Sequence, residues 1–176
     1  KQSMEVVVNG LEFYLETNKM ERRLSGVVNT ADFADVNAIK NTVKAAQGSD
    51  KLEITWETAS DGKTHRFWVE NIKQGEIISK VILTCDGDAI NTNFSKEIET
   101  EVPIKGDFRI LSTRVIQNPD QYVEIRFSEP LDQNQNLHGL ITCNEISDLR
   151  MITEGNVVKV YPSNRQNGTF NFSVAE

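Results

Sequence analysis

The sequence predicts an all-β protein built mainly as two tandem β-sandwich domains, with one short helix in the first. Three observations predict this. Apolar and polar residues alternate along most of the chain, the period-two signal of half-buried strands. Turn-forming clusters such as Ser60-Asp61-Gly62-Lys63 and Asn118-Pro119-Asp120-Gln121 separate the alternating segments at short intervals. No βα repeat, which would argue for a parallel sheet, interrupts them. With 38% hydrophobic and 26% charged residues over 176 positions, the chain has a globular composition and room for two small domains.

The elements follow in order. Leu11, Phe13 and Leu15 alternate with Glu12, Tyr14 and Glu16, and Asn18-Lys19 turns the chain into Arg22 to Val28, giving a first hairpin. The one helical pattern lies at about 33–46, where Val36, Ile39 and Val43 stand at i, i+3 and i+7, with Asp32 placed to cap the first turn and Gly48 to end the last. Leu52, Ile54 and Trp56 take one face of a strand with acids on the other. His65, Phe67 and Val69 repeat the scheme, so 51–72 reads as a second hairpin around Ser60–Lys63. Val81, Leu83 and Cys85 share a phase. Glu97, Glu99 and Glu101 alternate with Ile98, Thr100 and Val102 as the solvated face of a strand.

Near residue 107 the composition changes. Lys outnumbers Arg ten to three over 1–107, and Arg outnumbers Lys five to one over 108–176, while Pro103 and Gly106 break the strand pattern at the same place. This places a short linker at 103–107, with domains at 1–106 and 107–176. The second domain begins with Phe108 to Gln117, turns at Asn118–Gln121, and continues into Tyr122 to Ser128, where the alternation is clearest. Further strands are expected at 139–143, 148–152, 156–161 and 169–174, with turns at Glu154-Gly155-Asn156 and Asn164 to Gly168. Short strands at this spacing suit antiparallel sandwiches of immunoglobulin type. About six strands over 108–176 is one short of the usual seven, and the sequence stops directly after the alternating Phe170, Phe172 and Val174. The expectation is a piece of a longer protein, with an unpaired edge strand near its end.

Site chemistry is thinly represented. A net charge of −7 lacks the basic footprint of a nucleic-acid binder. Of Cys85, Cys143, His65 and His138 only His138 and Cys143 are close in sequence, so the two closely spaced ligand pairs of a structural zinc site are not present. Both cysteines read as free core thiols, and His65, in phase with Phe67 and Val69, as a packed core histidine. Asp132-x-Asn134-x-Asn136 begins like a calcium loop, but Leu137 stands where glycine should and Cys143 where glutamate should, so it reads as a polar loop. Asp86-Gly87-Asp88 reads as a turn, and Ser128-Glu129-Pro130 as a strand end without a nucleophile elbow. Asn93, Asn167 and Asn171 begin glycosylation-type triplets, a pattern too short to decide anything. Trp68 falls in phase with Arg66 and Glu70, away from the proposed core, and is a possible interface residue.

The second domain, through Phe108 to Asp132, Leu137-His-Gly-Leu-Ile and Asn156 to Asn164, resembles the N-terminal region of bacterial alpha-2-macroglobulin-like proteins. Leu24-Ser-Gly-Val-Val, Ile54-Thr-Trp-Glu and Asp61 to Phe67 resemble the segment preceding that region in large envelope members of the family. The resemblance implies macroglobulin-like sandwiches that act as the non-catalytic scaffold of a bait-and-trap protease inhibitor. It also implies a periplasmic or cell-envelope location, with a lipid anchor outside this sequence. The partners so implied are the other domains of the same protein and, through the full-length molecule, proteases. The family's Cys-x-Glu-Gln thioester is not matched, since Cys85 precedes Asp-Gly-Asp and Cys143 precedes Asn-Glu-Ile. No catalytic residue, cofactor site or metal site is therefore assigned. The alternative is a surface adhesin or carbohydrate-binding module that uses Trp68.

Overall fold

The structure, a computed structural model, describes residues 3–16 and 19–175, and leaves aside the side chains of Leu15, Glu16 and Lys19. The chain is mainly β, with four antiparallel sheets of sandwich type and one short α-helix. It divides into two compact units, Lys1–Gly106 and Asp107–Glu176.

In the first unit, β1 (Met4–Glu16) and β2 (Lys19–Thr30) form a long hairpin, whose expected turn residue Asn18 lies outside the described residues. A bulge between Val8 and Gly10 shifts the register, and Gly10 supplies the φ of 117° found there. The helix is much shorter than its pattern. α1 covers only Val36–Ile39, capped by Asp35 and not Asp32, with the Asp35 carboxylate accepting from the N–H groups of Asn37 and Ala38 at 3.0 Å each. Val43, expected on the helix, starts β3 (Val43–Gln47), which runs through Gly48, at φ 60°, into β4 (Asp50–Leu52). The helical spacing fails because Val43 and Ala45 point inward with strand periodicity and pair with Cys85 and Leu83 of β7 (Ser79–Asp86).

The alternation through Leu52, Ile54 and Trp56 also conceals a change of sheet. Glu53 separates β4 from β5 (Ile54–Thr58), which pairs with β6 (Thr64–Val69) in the expected hairpin. One sheet therefore runs β1-β2-β6-β5. The other runs β4-β3-β7-β8, where β8 is Ser95–Val102. Leu24, Val28, Phe67 and Val69 from the first sheet and Val81, Leu83 and Val102 from the second have no solvent exposure. Each such side chain contributes about 1.5–3 kcal/mol of transfer free energy. Gly26 is required opposite Phe67, because a Cβ there would lie 2.3 Å from the ring and 2.9 Å from the Val7 carbonyl oxygen.

Among the described residues the second unit has six strands: β9 (Ile110–Ile116), β10 (Tyr122–Phe127), β11 (Ile141–Cys143), β12 (Leu149–Glu154), β13 (Val157–Pro162) and β14 (Phe172–Val174). A four-stranded sheet, β12-β13-β10-β9, is faced by only two strands, β11-β14. Ile125, Phe127, Ile141, Cys143, Leu149, Val158 and Val160 form the core between them. Ser128 fastens the entry of the unit. Its N–H donates to the Arg109 carbonyl at 2.8 Å, and its hydroxyl accepts from the Arg109 N–H at 2.7 Å while donating to the Asp107 carbonyl.

Candidate functional site

Trp68 is the residue that the sequence offers for an interface, and its surroundings follow from sheet register. Strand alternation sends Phe67 and Val69 into the core and Trp68 to the outer face of the β1-β2-β6-β5 sheet. There Ser25 and Thr55 are its cross-strand partners. Glu12 and Tyr14 of β1 share this face, as does Arg23, which pairs with Glu12 across the hairpin. The Arg23 guanidinium lies 4.3 Å from the centre of the Tyr14 ring and 5.1 Å from that of Trp68, and its Nε donates to Glu12 at 2.7 Å. Ser25 donates to the other Glu12 oxygen at 3.0 Å. Tyr14 and Thr55 donate to the two oxygens of Glu70, each at 3.0 Å.

The result is a half-buried plateau on which one cation bridges two aromatic rings and two carboxylates orient its edges. Partly desolvated cation–π contacts of this kind contribute about 0.5–1 kcal/mol each. Partly exposed aromatic rings with fixed donors and acceptors beside them can pack against and hydrogen-bond a polar planar or sugar-like ligand. Reading Trp68 alone misses Glu12, Tyr14, Arg23 and Glu70. Their common phase was visible in the sequence, but their convergence depends on the β1–β2 register beyond the Gly10 bulge.

The remaining candidates are held internally. His65 is fully buried, its Nδ1 is 3.0 Å from the Thr58 hydroxyl, and Nε2 has no partner. Burial, only partly offset by the Asp61 carboxylate, lowers the imidazole's affinity for a proton, so His65 is held neutral. Cys85 and Cys143 are buried free thiols. Burial pushes the Cys85 thiol up, against the opposing influence of Lys96, whereas Cys143 donates to Glu145 at 3.2 Å. Ser128 is committed to the backbone of Asp107 and Arg109, with no base in contact.

The Asp132 carboxylate accepts from the Asn134 N–H at 2.9 Å and Asn136 from the His138 N–H at 3.0 Å, which are turn contacts. Asp86 likewise accepts from the Asp88 N–H at 2.8 Å and leads into a short 3₁₀ turn, Asp88–Ile90. Among the described residues no group of three or more His, Cys, Asp or Glu is placed to hold a metal ion. Asn93, Asn167 and Asn171 are exposed, as are Glu97, Glu99 and Glu101.

A second polar arrangement lies on β10. Burial raises the proton affinity of Glu124, but Arg114 at 2.7 Å and Arg126 at 3.1 Å outweigh it and hold the carboxyl below its usual range. This is a buried ion cluster within a sheet face and presents no reactive group. No described helix is long and apolar enough to cross a membrane. Comparisons with protein-family models, with curated proteins and with solved structures returned no match to this chain.

Proposed function

We propose that this chain is a non-catalytic pair of β-sandwich modules that serves as the N-terminal scaffold of a large bacterial alpha-2-macroglobulin-like protease inhibitor, lipid-anchored in the cell envelope. One observation carries the non-catalytic part of this reading. His65, Cys85, Cys143 and Ser128, four of the side chains that could do acid–base or nucleophilic work, are buried and engaged in packing or in holding backbone, while His138 is exposed at a turn. The resemblance of 108–132 and 156–164 to the start of such inhibitors supplies the family. In this role the modules space and orient other domains of the same protein, which would carry the protease-cleaved bait.

The isolated chain is expected to leave protease activity unchanged at stoichiometric amounts, and tight inhibition would overturn the proposal. Antibody raised against the chain should detect, in the host's envelope fraction, a membrane-associated band many times larger than 19.9 kDa. A soluble band of about the chain's own mass would overturn it as well.

The plateau around Trp68 favours a second reading, a carbohydrate-binding or adhesive module. Stacking on Tyr14 and Trp68, with Glu12, Arg23 and Glu70 as hydrogen-bonding groups, is the contact it would make. Glycan-array binding abolished by Trp68→Ala would favour this reading over the scaffold.

A further inference from the structure

We propose that the second unit accepts an extended strand of another polypeptide in the gap between β9 and β14. The register of the four-stranded sheet puts Val115 beside Val123, Thr113 beside Ile125 and Ile110 beside Phe127, all on its core face. Ile125 and Phe127 are 2% and 3% exposed, yet Val115 and Ile110 are 59% and 44% exposed. The same face is covered over β10 and bare over β9.

The missing cover is one strand wide. Among the described residues β14 pairs with β11 alone, through one edge. A cleft of about 530 Å³ has Ile110, Thr113 and Val115 on one side and Phe170, Phe172 and Val174 on the other, with no residue of β11 in its lining. The unpaired edge of β14 therefore faces the cleft. A strand added to that edge lies about 4.8 Å further on, over β9, and its inward side chains would cover Ile110 and Val115.

Charge defines the occupant. Among the described residues no charged side chain lines the cleft, and Gln166–Ala175, which contributes to one wall, is uncharged throughout in a chain that is 26% charged. A matching segment is extended, has uncharged apolar residues at alternate positions facing β9, and presents backbone groups to β14. A second folded copy does not meet these conditions. Bringing two β14 edges together would also bring the exposed Ile110 and Val115 of a second β9 to the same place, whereas a single extended strand brings only its own backbone edge and side chains.

The test uses the full chain and a fluorescently labelled seven-residue peptide of alternating Val and Thr, as long as β9. Saturable anisotropy is expected. Val115→Lys should weaken binding by about tenfold or more, because the ammonium would be desolvated on closure. Val7→Lys, at a 38% exposed position of the first unit, should leave it unchanged. N-methylation along one peptide edge should abolish binding. Three results would each overturn the proposal: no saturation at millimolar peptide by a chain folded by circular dichroism, equal affinity for Val115→Lys, or closure only when the strand is fused after Glu176 with no binding of free peptide.

Discussion

The two units use the same inward alternation and end with differently closed cores. In the first, four strands face four, and β7 carries Val81, Leu83 and Cys85 with no exposure. In the second, four strands face two, and β9 presents the same kind of residue to solvent, with Val115 more than half exposed. Alternation fixes which way a side chain points. Whether it is buried depends on the number of strands in the opposite layer.

The largest effect should come from the closed unit. Phe67→Ala removes a fully buried ring that packs on Trp56 at 5.4 Å and over Gly26, and should cost about 3–5 kcal/mol. Both tryptophans, Trp56 and Trp68, lie in this unit, so denaturant unfolding followed by their fluorescence measures it directly. Gly26→Ala tests the same packing from the opposite side. Its methyl group would meet the Phe67 ring, and the expected cost is about 1–3 kcal/mol by the same assay.

A smaller effect is tied to pH. His65 has a lower proton affinity folded than unfolded, so below the unfolded pKa of about 6.5 the unfolded chain binds more protons. Stability should therefore fall as pH drops from about 7 towards 5, with a slope of at most about 1.4 kcal/mol per pH unit. Stability curves of His65→Asn should lose this part of the slope, and an unchanged slope would remove His65 as its source. The smallest effect belongs to the open unit. Val115→Ala should change stability by no more than about 0.5 kcal/mol, measured by far-ultraviolet circular dichroism. A loss of several kcal/mol would show that β9 is covered and would erase the contrast between the units.

Much of this architecture was legible in the sequence, where side-chain phase alone decides. The first two hairpins, the burial of His65 between Phe67 and the turn, and the outward face of Trp68 follow from alternation. What was lost has specific causes. Val36, Ile39 and Val43 satisfy helical spacing, but the helix ends after Ile39, and Ala45 and Ala46, good helix formers, are drawn into a strand by pairing with β7. Leu52, Ile54 and Trp56 keep one rhythm across a change of sheet, because a crossover at a single residue need not disturb the alternation. Of the plateau, only Trp68 stood out. The contacts joining it through Arg23 to Glu12 and Tyr14 depend on a bulge that periodicity does not reveal.

The crossover at Glu53 has a mechanical consequence. The two sheets of the first unit are joined there by one residue, whose carbonyl also accepts the Glu70 N–H at 2.9 Å, and β4 and β5 are the edge strands of their respective sheets. The other two crossings, 31–42 and 70–78, are longer, so the layers are held most tightly along this margin, like the covers of a book at the spine. Opening motions are expected to swing widest at the margin away from it, along β1 and β8. Amide exchange should accordingly be fastest at that fore-edge and slowest beside the binding.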